Sequence, residues 1–252
     1  MSQPGSKGTD WRLHGVYDLE HGGFSRLEVT DRRGAESLLR CDPIEGPVLI
    51  ADRRSPIADR GYAKAKELQA CLDASGLGSR DFIVRVGWKA LALRTMDNTP
   101  FSLIDQMQTM PPGSGPQEWV VQAVVGGRKQ SRLLPVRLIG VPLPPDKVEA
   151  TRLKLTRKAS KHQDTLDPRS LVAAGFMVLV TSLPADIPAG EICAAYRLRW
   201  QIELAFKRLK SLIHIDRLPT RTTAGSLSWL YAHLIMLLLT EAICQEFLES
   251  SP

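Results

Sequence analysis

The fold is decided by one stretch, YRLRWQIELAFKRLK, which runs from residue 196 to residue 210. At about 100° per residue, a helix would place a set of polar side chains within roughly a quarter of its circumference. These are Tyr196, Arg199, Glu203, Lys207 and Lys210. A set of apolar residues would fall on the opposite side, namely Ile202, Ala205, Phe206, Leu209 and Ile213. The pattern therefore predicts a helix with one buried face and one face that presents an acid among cations.

The spacing of the polar face leaves two interpretations open. Arg199, Glu203 and Lys207 stand four residues apart, so they could form a ladder of surface ion pairs worth a few tenths of a kcal/mol each. A carboxylate that holds a divalent cation, flanked by groups that bind a DNA backbone, would show the same spacing.

Length, charge and cysteine content limit the classes of protein to which the chain can belong. The chain has 252 residues, of which 43% are hydrophobic, and this suffices for one large core or two small ones. The net charge of +6 is weak support for a polyanionic partner. None of the four cysteines stands in a CxxC pair or near a histidine at metal-ligand spacing, so no zinc site is predicted and a reducing cytosol is expected. They are Cys41, Cys71, Cys193 and Cys244.

Targeting segments and membrane spans are not predicted. Residues 1–11 have no apolar run of the kind that a signal peptide needs. The most apolar stretch is Leu227–Leu248, but its uninterrupted part is too short to span a bilayer, and His233 and Glu241 interrupt it. We predict a buried core helix there, no membrane partner and a cytoplasmic location.

The first third of the chain reads as strands followed by one helix. Partial alternation over 12–20 and 24–31, separated by His21-Gly22-Gly23, predicts a hairpin. The continuous apolar run Gly46–Asp52 predicts a strand buried on both faces. An amphipathic helix follows from Tyr62 and ends at Gly76, and a short helix is possible over 35–40. A further strand is predicted over Asp81–Trp88.

The rest of the chain divides into an insertion and a C-terminal part. Residues 89–175 are rich in Pro, Gly and basic residues, and two apolar runs joined at Gly126-Gly127 predict a β pair, so we expect a β-rich insertion. A buried strand over Phe176–Pro184 is followed by a long helix with Pro188 near its first turn and by a last helix over Ser226–Phe247. The expected domains are 1–88, 89–175 and 176–252.

The motifs resemble one known family. The pattern Tyr196-x2-Arg199-x3-Glu203-x6-Lys210 resembles the signature of transposases of the insertion sequence 4 family, which belong to the DDE group. The block Pro4–Leu19 is similar to the family's block after its first catalytic Asp, and Ile57–Ala63 is similar to the block around the second. The resemblance implies an α/β, RNase H-like fold, with a mixed sheet and flanking helices interrupted by a β-rich insertion.

The resemblance also implies a chemistry. DDE transposases gather three carboxylates around two divalent cations, Mg²⁺ or Mn²⁺, and use them for DNA cleavage at the element's ends and for strand transfer. Glu203 matches the third carboxylate, and Tyr196, Arg199 and Lys210 match residues that contact terminal phosphates. Lys207 shares their stripe, which suggests the same role.

The expected partners follow from the same resemblance. They are double-stranded DNA, as element ends and target, and a second copy of the chain in the DNA complex. No small-molecule cofactor is expected. The location would be the bacterial cytoplasm, at the nucleoid when the protein is bound to DNA.

The second carboxylate has two candidates, because the tetrapeptide Ile-Ala-Asp-Arg occurs at 50–53 and again at 57–60. Asp52 ends the apolar strand, and a carboxylate at a strand end is held rigidly. Asp59 is followed by the Arg-Gly-Tyr that the family pattern requires. Geometry favours Asp52 and sequence context favours Asp59, and we prefer Asp59 for the catalytic and metal-binding role.

The first carboxylate has no counterpart in the sequence. The family's first Asp precedes the Pro4–Leu19 block, and neither Asp10 nor Asp18 stands at the right place to substitute for it. We therefore expect an N-terminally truncated transposase with impaired activity, and the alternative is a DNA-binding remnant without catalysis. Three tryptophans are candidates for stacking on a displaced base, although a core position is favoured for each: Trp88, Trp119 and Trp200.

Overall fold

The computed structural model of the chain describes residues 1–5, 10–34, 37–38, 48–51, 64–73, 80–111, 113–127 and 130–249. The chain divides into two compact units. Unit 1 combines Met1–Glu36 with Leu198–Pro252, and unit 2 is Ser37–Arg197.

Unit 2 is built on a six-stranded mixed sheet, in the order β3-β4-β8-β7-β6-β5. Strands β3 and β4 are parallel, and every other neighbouring pair is antiparallel. The strands are β3 (Val48–Ala51), β4 (Asp81–Arg85), β5 (Leu93–Arg94), β6 (Gln117–Gly127), β7 (Gln130–Pro142) and β8 (Phe176–Thr181). The predicted mixed α/β class with flanking helices is therefore confirmed.

The described residues of unit 2 form five helices: α1 (Ala65–Asp73), α2 (Leu103–Thr109), α3 (Pro145–His162), α4 (Pro168–Ala173) and α5 (Ala189–Arg197). The β6–β7 hairpin lies where the sequence predicted a β pair, with Val121 facing Val136 in the register. Helices α2, α3 and α4 lie between residues 89 and 175 and were not predicted. Side chains from the sheet and from α1 and α2, including Leu68, Phe82 and Met107, form the main core.

Strand β3 corrects one expectation. In the described sheet it lies at an edge, and Val48 is 38% exposed, so the predicted burial on both faces is wrong. Leu49 and Ile50 are half-buried and Ala51 is buried, and among the described strands only β4 pairs with β3. The short helix expected over 35–40 falls mostly outside the described residues, as does the end of the first helix at Gly76.

Unit 1 contains the predicted N-terminal hairpin, formed by β1 (Trp11–Asp18) and β2 (Gly23–Asp31). Gly22 at the turn has φ 70°, in the left-handed region that glycine adopts at low cost. Helices α6 (Trp200–Leu212) and α7 (Thr223–Glu249) complete the unit. The core that they share with the hairpin includes Phe24, Leu209 and Leu230.

The signature stretch is not one helix. Helix α5 ends at Arg197 and α6 begins at Trp200, so the prediction of one continuous helix is wrong. The amides of Gln201 and Ile202 donate to the carbonyls three residues earlier, at 3.0 and 3.2 Å, which tightens the chain at the break. Neither Gly nor Pro marks the position, so the sequence carried no signal for it.

Helix α7 also differs from expectation. Its limits agree with the predicted last helix, but only 11% of its most apolar window, Thr223–Cys244, is buried, so the prediction of a buried core helix is wrong. Leu230 and Leu234 pack into the unit 1 core, whereas Ile235, Met236 and Leu239 are exposed. Within the described residues, it alone is long and apolar enough to cross a membrane, which is weak evidence for a span.

Candidate functional site

Helix α6 is held against the hairpin by its apolar face. Ala205 and Leu209 are buried, and the rings of Phe206 and Phe24 lie 5.3 Å apart between centroids. Gly15 allows this close approach, because a Cβ at that position would lie 2.9 Å from Cζ of Phe206. The predicted apolar side of the helix is confirmed, since Ile202 and Ile213 pack against the same cluster.

The opposite side of α6 presents Glu203 to solvent. Nη1 of Arg199 donates to Oε1 of Glu203 at 2.6 Å, which is the (i, i+4) pair that the spacing predicted. The Glu203 side chain is 51% exposed and that of Arg199 is 20% exposed. The carboxylate is therefore oriented by a guanidinium at one oxygen and remains accessible.

Two further cations lie on the same side of helix α6 as Glu203. Lys207 and Lys210 are exposed, and neither has an ion pair with a described residue. Their charges, with that of Arg199, make the surface around Glu203 electropositive. A polyanion such as a nucleic-acid backbone fits such a surface.

Tyr196 does not share this exposed stripe, contrary to the sequence analysis. It belongs to α5 in unit 2, is 4% exposed, and packs in a cluster with Ile139 and Leu179. Cys193 lies in the same cluster, and its burial raises the pKa of the thiol. The tyrosine ring thus contributes to the core of unit 2, because α5 turns this side toward the sheet.

The other candidate carboxylates differ in whether the structure describes them and in the groups that they contact. Asp52 and Asp59 lie outside the described residues. Oδ2 of Asp10 accepts the amide of Gln3 at 2.8 Å. Asp18 accepts the amides of Glu20 and His21 at 2.8 and 3.1 Å, and its hydrogen bond with the His21 ring is the main cause that lowers its pKa. Asp18 therefore stabilises the turn between β1 and β2 through these hydrogen bonds.

The donor chemistry of Glu203 suits a hard divalent cation, since Mg²⁺ prefers carboxylate oxygens. In the described part of the chain, no group of three or more His, Cys, Asp or Glu side chains could hold a metal ion. Cys193 and Cys244 are free thiols. Glu203 thus fits as one ligand, and its described neighbours do not complete a site.

The three tryptophans occupy different environments. Trp88 and Trp119 are half-buried against the main core of unit 2, as the core interpretation expected. Lys89 Nζ and Arg169 Cζ lie 4.4 and 4.8 Å from the Trp88 ring centroid. Trp200 is 47% exposed, so a core position is wrong for this residue.

The sequence did not predict the role of Arg137, a buried cation that hydrogen-bonds to residues 183–187, the segment before α5. Arg137 on β7 is 6% exposed and donates to both oxygens of Glu118 on β6, at 2.6 and 2.7 Å. It also donates to the carbonyls of Leu183, Pro184 and Ile187. All five N–H groups of the guanidinium are thereby used. No local signal predicts such a contact, because its partners lie up to 50 residues away.

Comparison with known proteins gives a consistent result. A family model described as Transposase DDE domain matches residues 2–239. The chain is 35% identical over 253 residues to the transposase for insertion sequence element IS421 of Escherichia coli, and equally to the protein InsL for element IS186A of Escherichia coli (strain K12). Each alignment covers 100% of this chain and 66% of the relative, so the chain spans about two thirds of their length.

A further relative covers less of the chain. The transposase for insertion sequence element IS231F of Bacillus thuringiensis subsp. israelensis is 37% identical over 123 residues, which are 47% of this chain and 24% of that protein. No solved structure matches the chain.

Proposed function

The chain belongs to the family described as Transposase DDE domain, and from this premise we propose that it is the DNA-processing domain of an insertion-sequence transposase. Its activity would be metal-dependent cleavage of DNA at the element's ends, followed by strand transfer into a target. The substrate and partner is double-stranded DNA, and a second copy of the chain joins the complex.

We propose an RNase H-like fold for the catalytic core. The support is a parallel pair, β3 and β4, with α1 between them in the chain, beside antiparallel strands of the same sheet. Residues 1–88 and 176–252 would form the core and 89–175 the insertion. This division is drawn along the sequence and differs from the two compact units.

The observation that carries the proposal is the accessible Glu203 carboxylate, oriented by Arg199 at 2.6 Å on a helix that also presents Lys207 and Lys210. Glu203 is the third carboxylate of the family resemblance, and Asp59, with Asp52 as its competitor, is the second. These carboxylates would hold Mg²⁺ or Mn²⁺. A bound divalent ion supplies an activated nucleophile and stabilises the leaving oxygen at phosphorus.

The residues of the chain have separate roles in this proposal. Glu203 supplies oxygen ligands. Arg199 fixes the rotamer of that carboxylate and, as the family resemblance implies, contacts a terminal phosphate. Lys207 and Lys210 neutralise phosphates and thereby hold the strand, without reading its sequence. Tyr196 is the fourth residue of the signature, and its contact with DNA stays a proposal that would require its phenol to become accessible.

Cleavage of DNA tests the proposed function directly. The protein is incubated with Mg²⁺ and a duplex that carries the element's ends, and products are resolved on a denaturing gel. We expect slow cleavage at the ends that chelation of the metal abolishes, in line with the expected impaired activity, and Glu203→Gln should bind the duplex while losing cleavage at least about 100-fold. Cleavage by Glu203→Gln at the wild-type rate, or metal-independent cleavage, would contradict the proposal.

The choice between the two second-carboxylate candidates needs a paired experiment. Asp59→Asn and Asp52→Asn remove one carboxylate each with little change in volume. We expect Asp59→Asn to lose cleavage and Asp52→Asn to keep most of it. The reverse pattern would assign the role to Asp52.

A further inference from the structure

Helix α3, Pro145–His162, carries a charge pattern that the proposed function does not use. It has 18 residues and is therefore about 27 Å long at about 1.5 Å per residue. Leu155 is 5% exposed, and Nε of Arg152 donates to the carbonyl of Leu171 on α4 at 3.0 Å. Through these two contacts, one side of α3 packs against the rest of unit 2.

Four cations share another side of α3. With about 100° per residue, their Cα positions fall within an arc of about 100° that excludes Leu155 and Arg152. They are Lys154, Arg157, Lys158 and Lys161, called the α3 basic face below. Lys158 is half-buried and the other three are exposed. The helix thus presents a single-sign surface to solvent.

The α3 basic face is not neutralised within the described structure. None of its four residues has an ion pair with a described residue, and no acidic residue occurs from Ala150 to His162. Within this set, pairs that stand three or four residues apart, such as Lys154 with Lys158 and Arg157 with Lys161, repel one another along the helix. A solvent-exposed helix without a binding partner usually carries both acidic and basic residues. A polyanion bound along this face would relieve the repulsion.

We propose that the α3 basic face binds the phosphate backbone of duplex DNA as a second contact surface, separate from α6. The inference rests on the proposed function for the choice of polyanion. The contact is independent of base sequence, because lysine and arginine side chains at phosphates position a duplex without reading it. Its role is to hold flanking or target DNA along unit 2.

Salt-dependent binding tests this inference. Affinity for a short random-sequence duplex is measured by fluorescence anisotropy between about 50 and 200 mM KCl. The variant of the α3 basic face, called the stripe variant below, is Lys154→Gln with Lys161→Gln. The matched control is Lys66→Gln with Arg132→Gln, which removes two exposed cations elsewhere in unit 2. Each phosphate contact contributes about 0.9 to the slope of log affinity against log salt concentration. We therefore expect the magnitude of this slope to fall by about 1.8 for the stripe variant and to change little for the control.

The possible results are distinct. If the wild type fails to bind any duplex, the proposed function fails and this inference fails with it. If the wild type binds and the stripe variant keeps the same slope, only the α3 contact is overturned. Tighter binding of the wild type to phosphatidylserine vesicles than to duplex, lost in the stripe variant, would assign the face to a membrane and overturn the inference.

A second variant separates binding from folding. Arg157→Glu replaces like-charge neighbours by opposite-charge pairs with Lys154 and Lys161, so the helix should be as stable or more stable. We expect an unchanged or higher melting temperature together with at least a several-fold weaker affinity for duplex DNA. A parallel loss of stability and affinity would indicate a structural role and contradict the inference.

Discussion

At the residue scale, the site depends on one oriented carboxylate. The pair between Arg199 and Glu203 was predictable because it is local, with four residues of spacing on a helix. The burial of Tyr196 was not predictable, because it depends on a break between α5 and α6 that no residue type marks. Local spacing thus predicted the contacts within α6 and failed at the helix boundary.

Arg199 should matter more for binding than for stability. Glu203 is half exposed, so water screens the ion pair, and Arg199→Ala should lower the free energy of unfolding by less than about 1 kcal/mol. The same change should reduce the salt slope of DNA binding by about 0.9. Urea denaturation and anisotropy titration measure the two effects. Arg221→Ala removes an exposed cation of unit 1 as a control, and equal slopes for wild type and Arg199→Ala would refute the phosphate contact.

Asp18 should give the hairpin a dependence on pH. Its pKa is lowered from 3.8, chiefly by the hydrogen bond with the His21 side chain, so its stabilising effect is present above 3.8 and lost as the pH falls through the folded-state pKa. Asp18 is 36% exposed, and after screening we expect Asp18→Asn to cost under about 1 kcal/mol at neutral pH.

The measurement for Asp18 is the free energy of unfolding of wild type and Asp18→Asn at several pH values. The difference between the two should shrink as the solution is acidified below the ordinary pKa of aspartate. Asp164→Asn is the control, because Asp164 is an exposed aspartate outside the hairpin. A constant difference at all pH values would be inconsistent with this role.

At the element scale, periodicity predicted the strands well. The hairpin β1–β2 and the pair β6–β7 follow from alternation and from turn glycines, which are local signals. Helix α3 has such signals too, with Pro145 at its start, Asp146 in its first turn and Lys161 and His162 in its last. The sequence predicted only a region rich in basic residues over 89–175, and the helix was missed.

Helix α6 needs Gly15 beneath it. A Cβ at this position would lie 2.9 Å from Cζ of Phe206 and 2.9 Å from Cε1 of Phe24, so Gly15→Ala should cost about 1–3 kcal/mol through overpacking. Gly190→Ala is the control, since nothing lies within 4 Å of a Cβ there. Thermal or urea unfolding compares the two. We expect Phe206→Leu to recover part of the loss in the double variant, and a neutral Gly15→Ala would disprove the close packing.

Arg137 should be a main determinant of stability in unit 2. Arg137→Met removes a buried guanidinium that donates to Glu118 and to three carbonyls, and it leaves the buried carbonyl of Leu183 without this donor, so we expect a cost of about 1–3 kcal/mol. Arg132→Met, at an exposed position on the same strand, should stay within about 0.5 kcal/mol. Urea denaturation measures both. Similar small costs for the two variants would show that the Arg137 network contributes little.

At the scale of the whole molecule, the sequence predicted the class and the family but not the exposure of α7 or the edge position of β3. An apolar helix is expected to be buried because apolar surface avoids water, yet only one side of α7 packs on the hairpin core. Such exposure is set by how many elements surround a helix, which periodicity within that helix does not contain.

The central claim is that Glu203 is a ligand for the divalent ion of a DNA-processing site. Its most direct test is the affinity of the protein for Mn²⁺, measured by calorimetric titration for wild type, Glu203→Gln and the control Glu191→Gln, which alters another exposed glutamate. We predict that Glu203→Gln weakens Mn²⁺ binding at least about tenfold while Glu191→Gln leaves it unchanged. Equal affinities for wild type and Glu203→Gln would contradict the account.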